Sequence, residues 1–331
     1  MIKTLFTWDL GATKCAAGLI EYHAATDHYH CVRRCALKLT AAISLNDLID
    51  QLEATLDFSM ADADAICIGA AGIYDGKHLI LEDAYPYDMP FAELANQRTW
   101  PPFAIIHDYA PVVCATFTHC LHDPAYTRHL STCPINPFGR RVAIGIGTGL
   151  GIKDGVLLAN GDFWLGQNEG GHIGISLAPE TDAIMRAQHA ALMEFLALDD
   201  AHPVTFQKIL SGAGTVRLQQ FFYPTSQNLT PESVGIAIRA GLADKTLKAF
   251  AWYLGLFIGT MQLIFMPDGG IWIAGGVIMQ HLAVFDYLEF QQGIEASPAY
   301  LKQRKQFPLG ILIHHDNALI GGAYYAVKHL L

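Results

Sequence analysis

The chain has 331 residues, of which 52% are hydrophobic and 16% charged, and its formal net charge is −10. This length predicts about two domains, and the apolar fraction is sufficient for a large core. An acidic chain this poor in Lys and Arg is unsuited to holding nucleic acid by its phosphates, so an anionic ligand would have to be bound by backbone N–H groups, a metal ion and a few side chains.

The seven cysteines are scattered along the chain without a Cys-x-x-Cys pair, which disfavours a zinc ribbon or a thioredoxin motif. Single cysteines in a chain of this size are typical of a reducing cytosol. The N-terminal residues MIKTLFTWDLG are too few, and become polar too soon, for a signal peptide. We therefore expect a cytoplasmic protein.

One apolar segment, residues 249–266, is long enough to span a membrane and carries Gly255 and Gly259 at Gly-x-x-x-Gly spacing. The polar run before it, Gln262 within it and a strand directly after it favour a central helix that is buried on all sides. We expect no membrane partner, and the membrane-spanning alternative stays open at this point.

The first third of the chain alternates between strands and helices. Strands are predicted over residues 2–8, 12–22, 28–39, 64–72 and 103–108. A helix is predicted over 44–57, with Ser44 as its N-cap, and another over 109–121, with Pro111 in its first turn. This alternation predicts an α/β fold.

The rest of the chain begins with a predicted loop over 123–140, which contains three prolines. A second set of strands starts at residue 140. After residue 180 the pattern is mainly helical, and strands are predicted there only over 269–275 and 309–316.

Two segments, 5–22 and 142–158, share one order of features: an apolar strand, a small-residue turn with Gly and Thr, and a second apolar strand. In the second segment, glycines stand at the alternate positions 145, 147, 149 and 151. Glycine weakens a strand unless something must approach its backbone. Both segments are therefore predicted to be β-hairpins whose turns let a ligand reach the backbone.

Glycine-rich turns indicate phosphate binding, but the two commonest phosphate motifs are absent. The only Gly-Lys pair is followed by His, which excludes a P-loop, and the alternate glycines are followed by a strand, which excludes a dinucleotide fingerprint. What is present is Asp-x-Gly-x-Thr at 9–13 and Gly-Thr-Gly-x-Gly at 147–151.

This pair of turns is similar to the two phosphate-binding hairpins of the actin, Hsp70 and sugar-kinase fold. Six segments in the same order resemble the bacterial glucokinases nearly from end to end, and the zinc-binding cysteine cluster of the related ROK group is missing. The segments are DLGATK, IIHDYAPVVCA, GTGLG with NEGGHIG, ILSGAGTVRL, GGIWIAGGVI and ILIHHDNALIGGAYYA. The resemblance implies an α/β, two-domain actin-like ATPase (ribonuclease H-like) fold with an interdomain cleft. It places a small domain at 1–110 plus 310–331 and a large domain at 111–309.

The resemblance also implies ATP-dependent phosphorylation of a hexose, with glucose converted to glucose 6-phosphate. Asp108 matches the catalytic base of the family, although an Asp at this position could instead cap the following helix. Glu169 and His172 match sugar ligands, and Asp9 matches a residue that holds Mg²⁺ through water. The residues implied to bind the nucleotide are Asp9, Gly11, Ala12, Thr13, Lys14, Gly147, Thr148, Gly149, Ser211, Gly212, Gly214, Gly275 and Gly276.

Three departures from the family pattern concern the sugar. His107 stands where the family has Asn, Gln207 stands where it has a second sugar-binding Glu, and residues 83–88 differ from its polar segment. A neutral amide binds a hydroxyl group less strongly than a carboxylate does. Another hexose, an N-acyl hexosamine or a non-catalytic sugar-binding regulator are therefore the alternatives. The apolar helices of the large domain lead us to expect a homodimer.

Overall fold

The structure is a computed structural model that describes residues 1–81, 85–177, 182–198 and 204–331. Its strands are β1 (Ile2–Leu10), β2 (Lys14–His23), β3 (His28–Lys38), β4 (Ala65–Ala70), β5 (Ile73–Tyr74), β6 (Leu79–Ile80), β7 (Phe103–His107), β8 (Thr127–His129), β9 (Arg141–Ile146), β10 (Leu150–Leu157), β11 (Phe163–Leu165), β12 (Gly270–Ala274) and β13 (Leu309–Leu312). Its α-helices are α1 (Leu45–Leu56), α2 (Phe91–Gln97), α3 (Tyr109–Ala115), α4 (Ala183–Ala197), α5 (Phe206–Ile209), α6 (Gly212–Phe222), α7 (Pro231–Arg239), α8 (Asp244–Phe265), α9 (Gly276–Gln280), α10 (Leu288–Glu295), α11 (Leu301–Arg304) and α12 (Asn317–His329). In the segment 83–88, residues 83 and 84 lie outside the described part of the chain.

The chain divides into two compact units. Unit 1 comprises Met1–Arg128, Leu157–Leu165 and Leu312–Leu331, and unit 2 comprises His129–Val156 and Gly166–Ile311. The sequence places the first domain boundary at about residue 110, whereas α3 belongs to unit 1. The physical reason is that α3 packs closely against α12, since a Cβ added at Gly321 would clash with the carbonyl oxygen of Pro111.

Unit 1 is built on a five-stranded sheet with the order β3-β2-β1-β4-β7. β1 is antiparallel to β2, and β4 is parallel to both β1 and β7. β4 is apolar throughout because both of its faces are covered. Ile66 and Ile68 pack in one core with α1 and α2, whereas Ala65 and Cys67 pack in a second core with α3 and α12.

Helix α1 forms as its sequence predicts. The Ser44 hydroxyl accepts a hydrogen bond from the backbone N–H of Asp47 at 3.1 Å, which confirms it as the N-cap. The predicted apolar face is buried, and it consists of Leu45, Leu48, Ile49, Leu52 and Leu56.

Helix α3 is shorter than the sequence predicts, because it ends at Ala115 instead of continuing to residue 121. The hydroxyl of Thr116 donates to the carbonyl of Val113 at 2.6 Å, and that of Thr118 donates to the carbonyl of Ala115 at 2.7 Å. Threonine side chains that bond to the preceding backbone compete with helix continuation. A 3-10 turn over His119–Leu121 takes the place of the last predicted turn.

The second sheet has six strands in the order β11-β10-β9-β12-β13-β8. Within unit 2, β9 is antiparallel to β10 and parallel to β12, so this unit repeats the hairpin and parallel strand of unit 1, as predicted. The predicted loop over 123–140 was wrong at one point, since it contains the short strand β8. The polar residues of β8 give no apolar alternation that would have revealed it, and beside it the N–H groups of Leu130 and Ser131 donate to the carbonyl of Leu309.

Helix α8 is the one helix in the described ranges whose length and composition would suffice for a membrane span, and 78% of its most apolar window is buried inside the protein. This confirms the predicted central helix. The Gly-x-x-x-Gly pair permits close packing against α10, because a Cβ added at Gly255 would clash with the carbonyl of Phe290 and one at Gly259 would lie 2.8 Å from that of Ile294.

Candidate active site

Three parallel strands of unit 1 end at one edge of its sheet. Because β1, β4 and β7 are parallel, their carboxyl ends lie side by side. In the strand pairing, Asp9 of β1 stands opposite Gly69, and His107 of β7 stands opposite Ala70. Asp108 follows β7 directly. The two acidic residues that the sequence singles out therefore lie at the same edge, with β4 between them.

Asp108 precedes α3 but does not cap it. Its backbone N–H donates to the carbonyl of Ala70 at 3.0 Å, which fixes the residue to the sheet. No described N–H group in the first turn of α3 donates to its carboxylate. Instead, Oδ1 lies 2.9 Å from Nδ1 of His107, and a quarter of each side chain is exposed. The helix-cap alternative is thus wrong, and the carboxylate is accessible to a substrate.

The pKa of Asp9 is far from its ordinary value. Burial, and after it the negative charge of Asp108, raise this pKa from 3.8 to about 6, while the Lys14 ammonium acts in the opposite direction. The three side chains therefore share one electrostatic environment. Carboxylate oxygens are the ligands that Mg²⁺ prefers, and a cation would relieve the repulsion between the two carboxylates. The residues present fit a magnesium ion.

The turn between β1 and β2 holds the other nucleotide-binding residues predicted in unit 1. The N–H of Gly11 donates to the carbonyl of Lys14 at 3.0 Å and closes the turn. Thr13 and Lys14 are exposed, and Ala12 is partly so. The side chains and N–H groups at this tip are thus within reach of a ligand.

The turn between β9 and β10 in unit 2 contains Gly147, Thr148 and Gly149. The N–H of Gly147 donates to the carbonyl of Gly149 at 3.0 Å, and Thr148 at the tip is exposed. A Cβ added at Gly147 would have no neighbour within 4 Å. The protein itself leaves the space beside this backbone open, which is what the alternate glycines predict for a ligand that approaches it.

The predicted sugar-binding residues of unit 2 lie around one backbone residue, Leu150, at the start of β10. Its N–H donates to Oε1 of Gln207 at 3.2 Å, and a Cβ added at Gly171 would clash with its carbonyl oxygen. Gly171 belongs to the 3-10 turn Gly170–His172, in which the N–H of His172 donates to the carbonyl of Glu169 at 3.0 Å. The turn is therefore pressed against β10 with the Glu169 and His172 side chains exposed.

The N-terminus of α6 is attached to the turn between β9 and β10. The N–H of Gly212 donates to the carbonyl of Gly147 at 2.9 Å, and the Ser211 hydroxyl accepts from the N–H of Gly214 at 3.0 Å. A Cβ added at Gly214 would clash with the carbonyl of Ile209, so this N-terminus requires glycine. An α-helix N-terminus favours negative charge, which suits a phosphate nearby.

The turn after β12 also requires glycine. Gly275 has φ +108°, and a Cβ there would clash with the carbonyl of Ile146, whereas Gly276 has open space around its Cα. The backbone therefore approaches the end of β9 at the first of these residues and is exposed at the second.

The glucokinase family model matches residues 6–329. The chain belongs to the glucokinase family. Among its relatives, the glucokinase of Saccharophagus degradans is 24% identical over 267 residues, which cover 78% of this chain and 79% of the relative. A solved glucokinase from an Antarctic psychrotroph has 20% identity and a TM-score of 0.80, with 98% of each chain covered. A ROK family glucokinase from Streptomyces griseus, solved with glucose and AMPPNP, has 16% identity and a TM-score of 0.59, with 99% of each chain covered.

These findings confirm the family, the enzyme class and the fold that the sequence predicts. The protein is a kinase of the glucokinase family, and its α/β fold is the actin-like ATPase fold of its structural neighbours. The structure brings the predicted residues together in two sets. In unit 1 they are Asp9, Gly11, Ala12, Thr13, Lys14, His107 and Asp108. In unit 2 they are Gly147, Thr148, Gly149, Glu169, His172, Gln207, Ser211, Gly212, Gly214 and, at the end of β9, Gly275 with the adjoining Gly276.

The structure adds two residues of this glucokinase-family chain to these sets that the sequence does not reveal. Leu150 acts through its backbone, so its side-chain type carries no signal, and only Gly171 opposite it stands out. Tyr85 donates its hydroxyl to the carbonyl of Ala71 at 2.6 Å, and burial together with the charge of Asp108 raises its pKa. Its signal is the aromatic pair within the segment 83–88, which the sequence marks as a departure without giving it a role.

Proposed function

We propose that this protein transfers the γ-phosphoryl group of ATP to glucose and forms glucose 6-phosphate, with Asp108 as the general base. The family match over residues 6–329 supports the reaction class. The observation that carries the residue assignment is the Asp108 carboxylate, which caps no described N–H group of α3 and lies at the edge formed by β1, β4 and β7.

In the proposed step, the Asp108 carboxylate accepts the proton of the sugar 6-hydroxyl. The hydroxyl oxygen forms a bond to the γ-phosphorus as the bond from that phosphorus to the β,γ-bridging oxygen breaks, and ADP leaves with the electron pair. The proton stays on Asp108 until water removes it. A base positioned in this way contributes ~10²–10⁴-fold to the rate.

The sugar is held by the exposed side chains of the turn after β11 and by two residues that differ from the family pattern. Glu169 accepts hydrogen bonds from two hydroxyl groups, and a neutral His172 donates one and accepts another. Gln207 and His107 are the further predicted sugar contacts. The glucose in the Streptomyces griseus structure supports a hexose substrate.

The nucleotide is bound by the two glycine-rich turns, by the N-terminus of α6 and by the turn after β12. The open space beside Gly147 and Gly276 supports the approach of phosphate and adenosine to the backbone. Asp9 would hold Mg²⁺ through water, and the ion would offset the negative charge of the phosphates. Lys14 adds a positive charge in the same environment as Asp9.

The cellular setting follows from the reaction. Phosphorylation of glucose is the entry to glycolysis, and ATP is a cytoplasmic substrate, so we place the protein in the cytoplasm. The homodimer that the sequence leads us to expect stays a prediction.

The proposal is tested by following ADP release with Mg·ATP against a panel of hexoses and N-acyl hexosamines. We expect turnover with glucose, and we expect Asp108→Asn to lose ~10²–10⁴-fold of it. Turnover with a different sugar alone would show that His107 and Gln207 have changed the specificity. Undiminished turnover in the Asp108→Asn variant would remove this residue from the mechanism, and sugar binding without any turnover would favour a regulator.

A further inference from the structure

We propose that Asp154 is a positioning residue for Glu169 and His172, the side chains that the proposed function assigns to the sugar. The inference rests on that sugar-binding role. Asp154 is a buried residue of β10 that the sequence does not single out. It would act on the substrate only through the segment 166–172, which carries both side chains.

The segment 166–172 runs beside β10 in the opposite direction. A Cβ added at Gly166 would clash with the carboxylate of Asp154, and one at Gly171 would clash with the carbonyl oxygen of Leu150 at the start of the strand. No side chain fits at either point, so the segment lies directly against β10. Asp154 meets the segment where it begins, and what holds its first residues also places the side chains that follow.

Asp154 binds the segment through its backbone and through its side chain. Its carbonyl accepts the N–H of Gly166 at 2.9 Å, and its Oδ1 accepts from Nδ2 of Asn168 at 3.2 Å. Oδ1 of Asn168 in turn accepts the N–H of Gly170 at 3.4 Å. An ionised carboxylate only accepts and a backbone N–H only donates, so both contacts require the same orientation of the amide. Glu169 stands between the two residues that this amide joins.

The Asp154 carboxylate is buried, with 3% of the residue exposed. A buried charge is costly unless it is paired and hydrogen-bonded. Burial raises the pKa of Asp154, while the Arg140 guanidinium, 3.7 Å from Oδ2, and the bond from Asn168 act in the opposite direction. An apolar side chain would fill this space without that cost. The carboxylate therefore serves as a hydrogen-bond acceptor for the segment.

The preceding residue of β10 binds the same segment. Lys153 is also buried, and its Nζ donates to Oε1 of Gln167 at 3.2 Å. Two consecutive charged residues of the strand thus bind the two consecutive amide side chains that precede Glu169. Hydrogen bonds are directional, whereas apolar contacts are not, so these bonds fix the position of Glu169 along the strand. Binding groups that are held before the sugar arrives lose less on orientation.

The test exchanges the donor and the acceptor. Asn168→Asp places a second carboxylate against Asp154, and two carboxylates so close repel each other. The double variant Asp154→Asn/Asn168→Asp restores one donor and one acceptor. We expect Asn168→Asp to raise Kd and KM for glucose about 10-fold or more, with KM for ATP changed by less than about threefold. The double variant should return both glucose constants to within about threefold of the wild type.

The exposed turn between β10 and β11 provides a matched control. There, Nδ2 of Asn160 donates to Oδ2 of Asp162 at 2.9 Å. Asn160→Asp therefore makes the same substitution in the same kind of pair, outside the segment 166–172. We expect it to leave KM for glucose within about twofold of the wild type. An increase as large as that of Asn168→Asp would overturn the inference.

Glucose binding is measured by isothermal titration without ATP, KM by ADP release, and folding by the melting temperature. Wild-type glucose constants in Asn168→Asp, or a double variant that binds glucose as weakly as Asn168→Asp alone, would overturn the inference. If Asn168→Asp does not fold, Asn168→Ala removes the donor without adding a charge. It should also weaken glucose binding, and an unchanged Kd would overturn the inference.

Glu169→Ala separates this inference from the proposed function. If Glu169→Ala leaves KM for glucose unchanged, the proposed sugar-binding role of Glu169 is wrong, and the inference falls with it. If Glu169→Ala raises KM for glucose while Asn168→Asp does not, only the role of Asp154 is wrong.

Discussion

Because the pKa of Asp9 is raised, the free energy of unfolding depends on pH through this residue. Its pKa is 3.8 in the unfolded chain and about 6 in the folded one. A group whose folded pKa is raised stabilises the fold fully below its unfolded pKa, and this contribution is lost as the pH rises through the folded pKa. Above pH 6, the folded protein thus carries a buried charge that opposes folding.

We therefore expect Asp9→Asn to stabilise the protein without Mg²⁺ at pH 7.5, by on the order of 2 kcal/mol. The melting temperature in EDTA should rise by several degrees, and the gain should shrink towards pH 5, where wild-type Asp9 is mostly protonated. Thermal unfolding at a series of pH values measures this. A variant that is less stable than the wild type at pH 7.5, or a gain that does not depend on pH, would contradict the prediction.

At the scale of single residues, the sequence does not reveal which side chains bind to the backbone of another residue. The resemblance to the family assigns Gln207 to the sugar, and that role stays a prediction. The structure adds that its Oε1 accepts the N–H of Leu150, a contact that the identity of Leu150 cannot reveal. For Asp108 the sequence leaves two roles open, and only the position of the carboxylate relative to α3 and His107 decides against the cap.

At the scale of elements, two glycines in one segment offer a matched test of how the sugar-binding turn is positioned. A Cβ added at Gly171 would clash with the carbonyl of Leu150, whereas one at Gly174 would have nothing within 4 Å. We expect Gly171→Ala to displace the turn that carries Glu169 and His172. Its kcat/KM for glucose should fall about 10-fold or more, because misplaced binding groups lose orientation.

The control is Gly174→Ala, which should leave kcat/KM within about twofold of the wild type. Steady-state kinetics with glucose, together with circular dichroism to verify folding, measures both variants. Equal kinetics for the two substitutions would show that the contact between Gly171 and Leu150 does not position the sugar ligands.

Elements could be predicted where their signal is local. The leucine periodicity and the N-cap of α1 lie within its own residues, and both hairpins show apolar strands around a small-residue turn. The prediction fails where a side-chain hydrogen bond or a neighbouring strand, and not the apolar pattern, determines the structure. The end of α3 depends on the hydroxyls of Thr116 and Thr118, and the polar strand β8 takes its place from its neighbour β13.

At the scale of the whole molecule, the domain boundary shows the same limit. The resemblance places a boundary at about residue 110, whereas a compact unit is defined by the segments that pack together. Helix α3 joins unit 1 because α12, about 200 residues later in the chain, packs against it. The fold class and the family do not need this information, since they follow from the order and spacing of the six matching segments.

All seven cysteines of the molecule are free. Four of them are buried, namely Cys15, Cys67, Cys114 and Cys120. Burial raises the pKa of Cys31 to about 12 and also raises that of Cys35, which lowers the thiolate fraction of both near neutral pH. Cys133 is partly exposed.

We therefore expect a thiol reagent at pH 8 to modify Cys133 first, Cys31 and Cys35 slowly, and the four buried thiols only after unfolding. Seven thiols should react in denaturant without any reductant. Absorbance of the released chromophore counts them, and Cys133→Ser should lose the fast phase alone. Fewer than seven thiols in the freshly purified, denatured chain would mean that a disulfide forms, and would contradict the prediction.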